Sequence, residues 1–360
     1  MSDPESKEPE KSVPQIVSTP MTTEGNSYLH ELCLKNAPVS EVRDAVLTLG
    51  ANMQALNKKG IPPIGIAIIN NNLETIQCLI DLGAKLYFPS DKGLMFNALA
   101  LAISFNRADA LKLLLQNGGS AYVNKLAYPA EGETVPSPYP YRAGPEKEPL
   151  LCLSHAVREG RISLLEILSS SGAFMNEECG KDSLFPLQRA VFGKDPGMLE
   201  QLIRLGADLD QQSADGRAAL HIAVMLNQPL LVAKLLDFGA NPDLPLKNGT
   251  TPLMYAAEGG NLAIARLLLD AGANADYQSP EKNDTALHRA AVKGKGDVVE
   301  ALLDKGANPL LIDAFNMTAA RVARNTGHEL LADKLDAAEG AAEQKIFEKA
   351  YDKINRKPPL

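Results

Sequence analysis

The sequence predicts an all-α repeat solenoid: helix-turn-helix pairs joined by β-turn or hairpin loops and stacked into a curved array. Three observations predict it. A Gly-Ala or similar pair recurs after a leucine-rich segment, at Gly50, Gly83, Gly118, Gly172, Gly206, Gly239, Gly272 and Gly306. The spacings are 33, 35, 54, 34, 33, 33 and 34, so one unit repeats and one copy carries an insertion of 21. Aromatic residues are only 5% of the chain and Trp is absent, which suits a narrow core of small aliphatic side chains. A chain of 360 residues would otherwise suggest two or three domains. Repeats grow in one dimension and escape that count.

The second helix of each unit is read from the residues seven, four and three positions before the glycine. These are Ile76, Leu79 and Ile80 in one copy, Val232, Leu235 and Leu236 in another, and Val299, Leu302 and Leu303 in a third. Such i, i+3, i+4 spacing is one stripe of a helix. The glycine then fits the left-handed position that stops the helix. The first unit departs by placing Arg43 at the earliest position, and the fourth by Ser169 after Leu165 and Leu168. The first helix starts at segments such as Thr251-Pro252-Leu253-Met254, where Thr caps and Pro is pre-set for the first helical position. Other copies read Ala219-Leu220-His221, Thr285-Ala286-Leu287-His288, Pro186-Leu187-Gln188 and Pro63-Ile64-Gly65. A truncated ninth unit runs from Asn316 to Leu335.

This order of parts resembles the ankyrin-repeat family: turn glycine, a T-P-L-H-like helix start, paired alanines, a second helix with paired leucines, then Gly-Ala-Asn or Gly-Ala-Asp. The resemblance covers residues 26–336, and the first three units are the degenerate ones. Three regions lie outside it. Residues 1–24 are polar and charged and are expected to be a disordered tail. The repeat domain, 25–336, carries an inserted loop at about 120–148 with Pro129, Pro136, Pro138, Pro140 and Pro145. Residues 337–360 read as a helical extension whose Phe347, Tyr351 and Ile354 are expected to cap the last repeat, or else to serve as a partner-binding amphipathic helix.

Composition excludes several functions. A net charge of −8 argues against a general nucleic-acid binder and against an anionic membrane surface. Cys33, Cys78, Cys152 and Cys179 form no C-x-x-C pair, which suggests a reducing compartment, and no secretory signal or membrane span is visible. A cytoplasmic protein, monomeric on its own, is expected. There is no phosphate loop, dinucleotide fingerprint, nucleophile elbow or zinc helix, so neither cofactor nor metal is expected. Cys152 and His155 are the most enzyme-like pair, one helical turn apart, yet they fall within a first helix where a core role is the simpler reading. The resemblance gives His221 and His288 a structural hydrogen bond near the repeat turn. His30 is a candidate for the same role in the degenerate first unit, though its spacing to Gly50 is two residues longer than theirs.

The resemblance also implies that a partner protein lies across the turn tips and the ends of the first helices. The tip positions are Asp215, Arg217, Lys247, Asn248, Thr250, Lys282, Asp284, Phe315 and Met317. The helix-end positions are Met225, Leu226, Glu258, Val292 and Lys293. Met225, Leu226 and Phe315 are apolar where solvent is expected. The inserted loop adds Tyr122, Tyr128, Tyr139 and Tyr141, which either bind or pack on the solenoid. The function expected is therefore a non-enzymatic scaffold, adaptor or regulator that binds one protein. The alternatives are an inhibitor or immunity protein that blocks a partner enzyme with the inserted loop and, remotely, a Cys/His enzyme.

Overall fold

The computed structural model describes residues 25–89, 95–124, 152–178 and 184–355. The chain divides into two compact units, Met1–Asp182 and Ser183–Leu360.

In the first unit four helix pairs follow one another: α1 (Tyr28–Leu34) and α2 (Val39–Leu47), α3 (Pro63–Asn70) and α4 (Leu73–Asp81), α5 (Ala98–Ser104) and α6 (Ala108–Gln116), α7 (Cys152–Arg158) and α8 (Leu165–Ser170). First helices stack on first helices and second on second. A short antiparallel hairpin, β1 (Tyr87–Pro89) and β2 (Met95–Asn97), pairs Tyr87 with Asn97 and leads into α5. Asn97 then caps that helix, accepting from the N–H groups of Leu99 and Ala100. All three degenerate units thus fold as helix pairs.

The second unit holds α9 (Pro186–Phe192), α10 (Pro196–Arg204), α11 (Ala219–Met225), α12 (Pro229–Asp237), α13 (Pro252–Gly259), α14 (Leu262–Asp270), α15 (Ala286–Val292), α16 (Gly296–Asp304), α17 (Ala319–Asn325) and α18 (Glu329–Asn355). The odd-numbered helices form one layer and α10, α12, α14 and α16 the other. Thr251, Thr285 and Thr318 cap α13, α15 and α17 through their hydroxyls. Fully buried Leu235, Leu253, Leu268 and Leu302 fill the space between the layers.

Every glycine that ends a second helix from Gly50 to Gly306 has positive φ, as the stop position requires. A second left-handed position, not read from the sequence, follows each first helix. Asn36, Asn71, Asn106, Lys194 and Asn227 occupy it, with glycines at 160, 260, 294 and 327. Asn tolerates this region because its short amide satisfies nearby backbone.

Neighbouring repeats are stitched by a ladder of carboxylates. Asp210, Asp243 and Asp276 accept from the N–H groups of Asn241, Asn274 and Asn308 at 3.0, 2.8 and 2.7 Å. Ion pairs Lys234–Glu200 and Lys334–Glu300 add rungs between second helices. Asp243→Ala removes one stitch and should cost about 1 kcal/mol. Thermal unfolding would read that as a fall of about 2–4 °C. An unchanged midpoint would show that solvent replaces the bond.

The C-terminal segment differs from expectation. It is no separate cap: α18 runs without a break from the second helix of the last repeat to Asn355. Phe347 and Tyr351 stack on each other with ring centroids 6.3 Å apart, and they stay 68% and 60% exposed instead of packing on the last repeat. No residue from Asp336 to Tyr351 is buried, because the last helix pair is too short to reach that far.

Candidate functional site

The expected surface falls in the second unit, on the hairpin tips between repeats and on the C-terminal ends of α11, α13 and α15. Each hairpin is closed by backbone bonds such as Gly249 N–H to Leu246 O at 2.8 Å and Leu246 N–H to Thr250 O at 2.9 Å. At the tips, Phe315 is 75% exposed while Asp313 accepts from its N–H at 2.8 Å, so the ring is held out on an ordered turn. Lys247, Asn248 and Lys282 are exposed. Asn248 accepts from the Thr250 N–H at 3.0 Å, and Ala314 donates to the Lys282 carbonyl at 2.8 Å. Asp215 pairs with Arg217. Burial, the largest single effect, pushes the Asp215 carboxyl up, but the Ser213 hydroxyl and the Arg217 N–H and guanidinium together outweigh it and hold the carboxyl below its usual range. Met317 is half-buried, and its carbonyl accepts from His288.

Two tip positions are withdrawn from the surface, one fully and one in part. Thr250 is only 2% exposed, and its hydroxyl accepts from Arg289 at 3.2 Å. Asp284 is ion-paired with Arg289 at 2.9 Å. Arg289 also reaches Glu258 at 3.5 Å, and Glu258 pairs with Lys293 at 3.7 Å. The structure therefore joins four expected contact residues, Thr250, Asp284, Glu258 and, through Glu258, Lys293, by way of a guanidinium that the sequence reading passed over. Thr250 is corrected from a contact residue to part of that support, because its side chain does not reach solvent.

At the helix ends, Met225 and Val292 are exposed and Leu226 is half-buried. Phe192 was missed. It is the seventh residue of α9, as Met225 is of α11 and Val292 of α15, and it is exposed like them. Aligning the copies on their helix starts would have found it. Among the inserted-loop residues, Tyr122 is half-buried and stacks on Tyr87 at 5.2 Å in the first unit. Tyr128, Tyr139 and Tyr141 lie outside the described residues.

The histidines act as repeat couplers. His288 Nδ1 accepts from the Thr285 N–H at 3.3 Å, and Nε2 donates to the Met317 carbonyl of the next hairpin at 3.0 Å. His30 does the same from Ser27 to Ile61 at 3.1 and 2.8 Å. Its odd spacing has a simple cause: one extra residue links α1 to α2, and one more lies between α2 and Gly50, while His30 remains third in its helix. His221 accepts from the Ala218 N–H at 3.2 Å, but its Nε2 comes near the Leu244 carbonyl without closing a full hydrogen bond. Gln188 replaces the histidine in α9 and spans from Phe185 to Gln211 and Arg217.

Cys152 and His155 are both buried on α7. Both imidazole nitrogens are engaged, with Ser104 Oγ at 2.9 Å and with Arg158 at 3.3 Å. Burial, then Arg158 and Arg161, push His155 down to about 3, so at neutral pH it is an uncharged strut between α5 and α7. Cys179 lies outside the described residues. Among the described residues, no group of three or more His, Cys, Asp or Glu side chains is placed to hold a metal, and no helix is long and apolar enough to cross a membrane.

The family model for ankyrin repeats matches residues 29–125, 153–244 and 220–313. The chain belongs to the ankyrin-repeat family, whose repeats in general mediate protein–protein interaction and are not themselves catalytic. It is 35% identical over 174 residues to the ankyrin repeat and SOCS box protein 14 of Mus musculus. That match takes in 46% of this chain and 26% of the mouse protein, so the chain spans about a quarter of that relative's length. Among solved structures it is similar to the ankyrin repeat domain of Bcl-3, a unique member of the IkappaB protein family, with a TM-score of 0.53 and 27% identity. The likeness covers 66% of this chain and 96% of that one.

Proposed function

We propose that the chain is a non-catalytic scaffold, adaptor or regulator that holds one partner protein across the first-helix ends and hairpin tips of its second unit. The observation that carries this reading is the set of exposed apolar side chains at equivalent positions, Phe192, Met225 and Val292, with Phe315 held out on a neighbouring tip. None of them contributes to the core, and apolar side chains left in water on a rigid frame are suited to a partner. The frame is ordered by capped helices and carboxylate stitches, so little conformational entropy is lost on binding.

Capture from native extract by the intact chain, by Met225→Asp/Val292→Asp and by a chain lacking residues 125–148 tests this. The double variant should retain the wild-type melting temperature, since both side chains are already exposed, and lose the captured partner at least ten-fold. Undiminished capture by the double variant overturns the placement. Loss only on deletion would favour the inhibitor reading, in which the inserted segment blocks an enzyme.

A further inference from the structure

We infer that the segment held on the second unit is acidic: an extended polypeptide in which Asp or Glu alternates with apolar side chains. This rests on the interface placement above and adds the chemistry of the partner.

The argument is a segregation of charge that the net value of −8 conceals. The hairpin and first-helix segments of this unit (184–194, 213–227, 246–260, 279–295 and 313–327) carry ten basic and five acidic side chains. The intervening second-helix segments from 195 to 312 carry four basic and eleven acidic ones. One layer of an acidic protein is therefore basic, and it is the layer that presents Phe192, Met225, Val292 and Phe315.

The acids of the basic layer are mostly spent within it. Asp215 pairs with Arg217, Glu258 with Arg289 and Lys293, and Asp284 with Arg289. Asp313 accepts from the N–H groups of Phe315 and Met317 at 2.8 and 3.0 Å. Only Glu281 is left over. Several cations, by contrast, are left without ion pairs among the described residues: Lys194, Lys247, Lys282 and Lys295. Lys247 and Lys282 stand exposed on consecutive tips, and Lys194 follows the exposed Phe192. An unpaired lysine on an ordered surface is well placed to meet a carboxylate and to exclude basic competitors.

Spacing selects a peptide. Packed helices lie about 8–10 Å apart, and an extended chain rises about 3.3 Å per residue. Each repeat therefore meets about three residues of an extended segment, enough to set acidic side chains against the lysines of some repeats and apolar ones against the anchors of others. A nucleic acid would meet the lysines as well and would find Phe192 and Phe315 to stack on, but Met225 and Val292 between them offer its bases no platform, which favours the peptide.

The test uses the full chain and three fluorescent probes: (Glu-Ser-Leu)5, (Lys-Ser-Leu)5 and a 15-nucleotide oligo-dT, titrated by anisotropy. The acidic peptide should bind at least ten-fold more tightly than the basic one. Lys247→Glu/Lys282→Glu should weaken it about ten-fold, while Arg266→Glu on the second-helix layer leaves it unchanged. Binding of neither peptide, equal binding of both, tighter binding of oligo-dT, or indifference to the lysine reversal each overturns the inference. If Met225→Asp/Val292→Asp abolishes binding while the lysine reversal does not, the interface stands and the acidic partner falls. If only the lysine reversal acts, the apolar placement fails instead.

Discussion

Lowering the pH from 7 to 4.5 should remove on the order of 2 kcal/mol of stability through His221 alone, and a similar amount through His155. Burial is the main cause at both sites. It pushes His221 down to about 4, against the opposing pull of the Leu244 carbonyl and Asp215, and His155 down to about 3. Burial lowers His30 as well. An unfolded imidazole takes up its proton near pH 6.5. The folded chain takes up none at these two sites until about pH 4 and about pH 3. Between those limits unfolding binds protons. Stability is therefore complete above about pH 6.5 and is lost as the pH falls toward the folded values.

The native chain supplies the control. Gln188 fills the coupler position of α9 with an uncharged amide that makes both bonds. His221→Gln should thus stay within about 1 kcal/mol of the wild type at pH 7. Its further loss by pH 4.5 should be smaller than the wild type's by on the order of 2 kcal/mol. Urea unfolding at the two pH values measures both. Parallel losses in the two proteins would mean that carboxylates, not this histidine, set the acid response.

Gly249→Ala should be the most damaging single methyl in the second unit, at about 3 kcal/mol. The residue has φ +74, which costs a side chain about 1–2 kcal/mol. The added Cβ would also lie 2.2 Å from Cδ of Pro280 on the next hairpin. A proline ring cannot rotate away, so the hairpins must part, at about 1–3 kcal/mol more. Gly239→Ala is the comparison. Its φ is +94 but nothing lies within 4 Å, so only the conformational part, about 1–2 kcal/mol, remains. Equal losses in the two variants would show that the hairpin tips move apart freely. That result would also weaken the case for a preorganised binding surface.

Much of this molecule is legible locally. The 33-residue period, the apolar stripes, the threonine caps and the stop glycines each reflect sterics or hydrogen bonding within a few residues, so they can be read from the chain alone. So can the histidine position, even in the degenerate first unit, once helix starts and not distances to Gly50 are aligned. The proposed contact surface was legible only as a set of positions. Which side chains stay available depends on partners roughly one repeat away. Arg289 meets Thr250 across 39 residues, and that contact, invisible in any short window, turns an expected contact residue into buried support.

The sequence by itself thus determined the repeat and its helix boundaries, because those follow from local periodicity and backbone conformation. Only the tertiary structure decided the rest. It showed that Asp284 and Glu258 are engaged by Arg289, that Phe192 joins Met225 and Val292 in solvent, and that Phe347 and Tyr351 have no repeat beneath them. The reason is physical: exposure and pairing are set by what the neighbouring repeat brings alongside, and stacking, not local sequence, makes those neighbours.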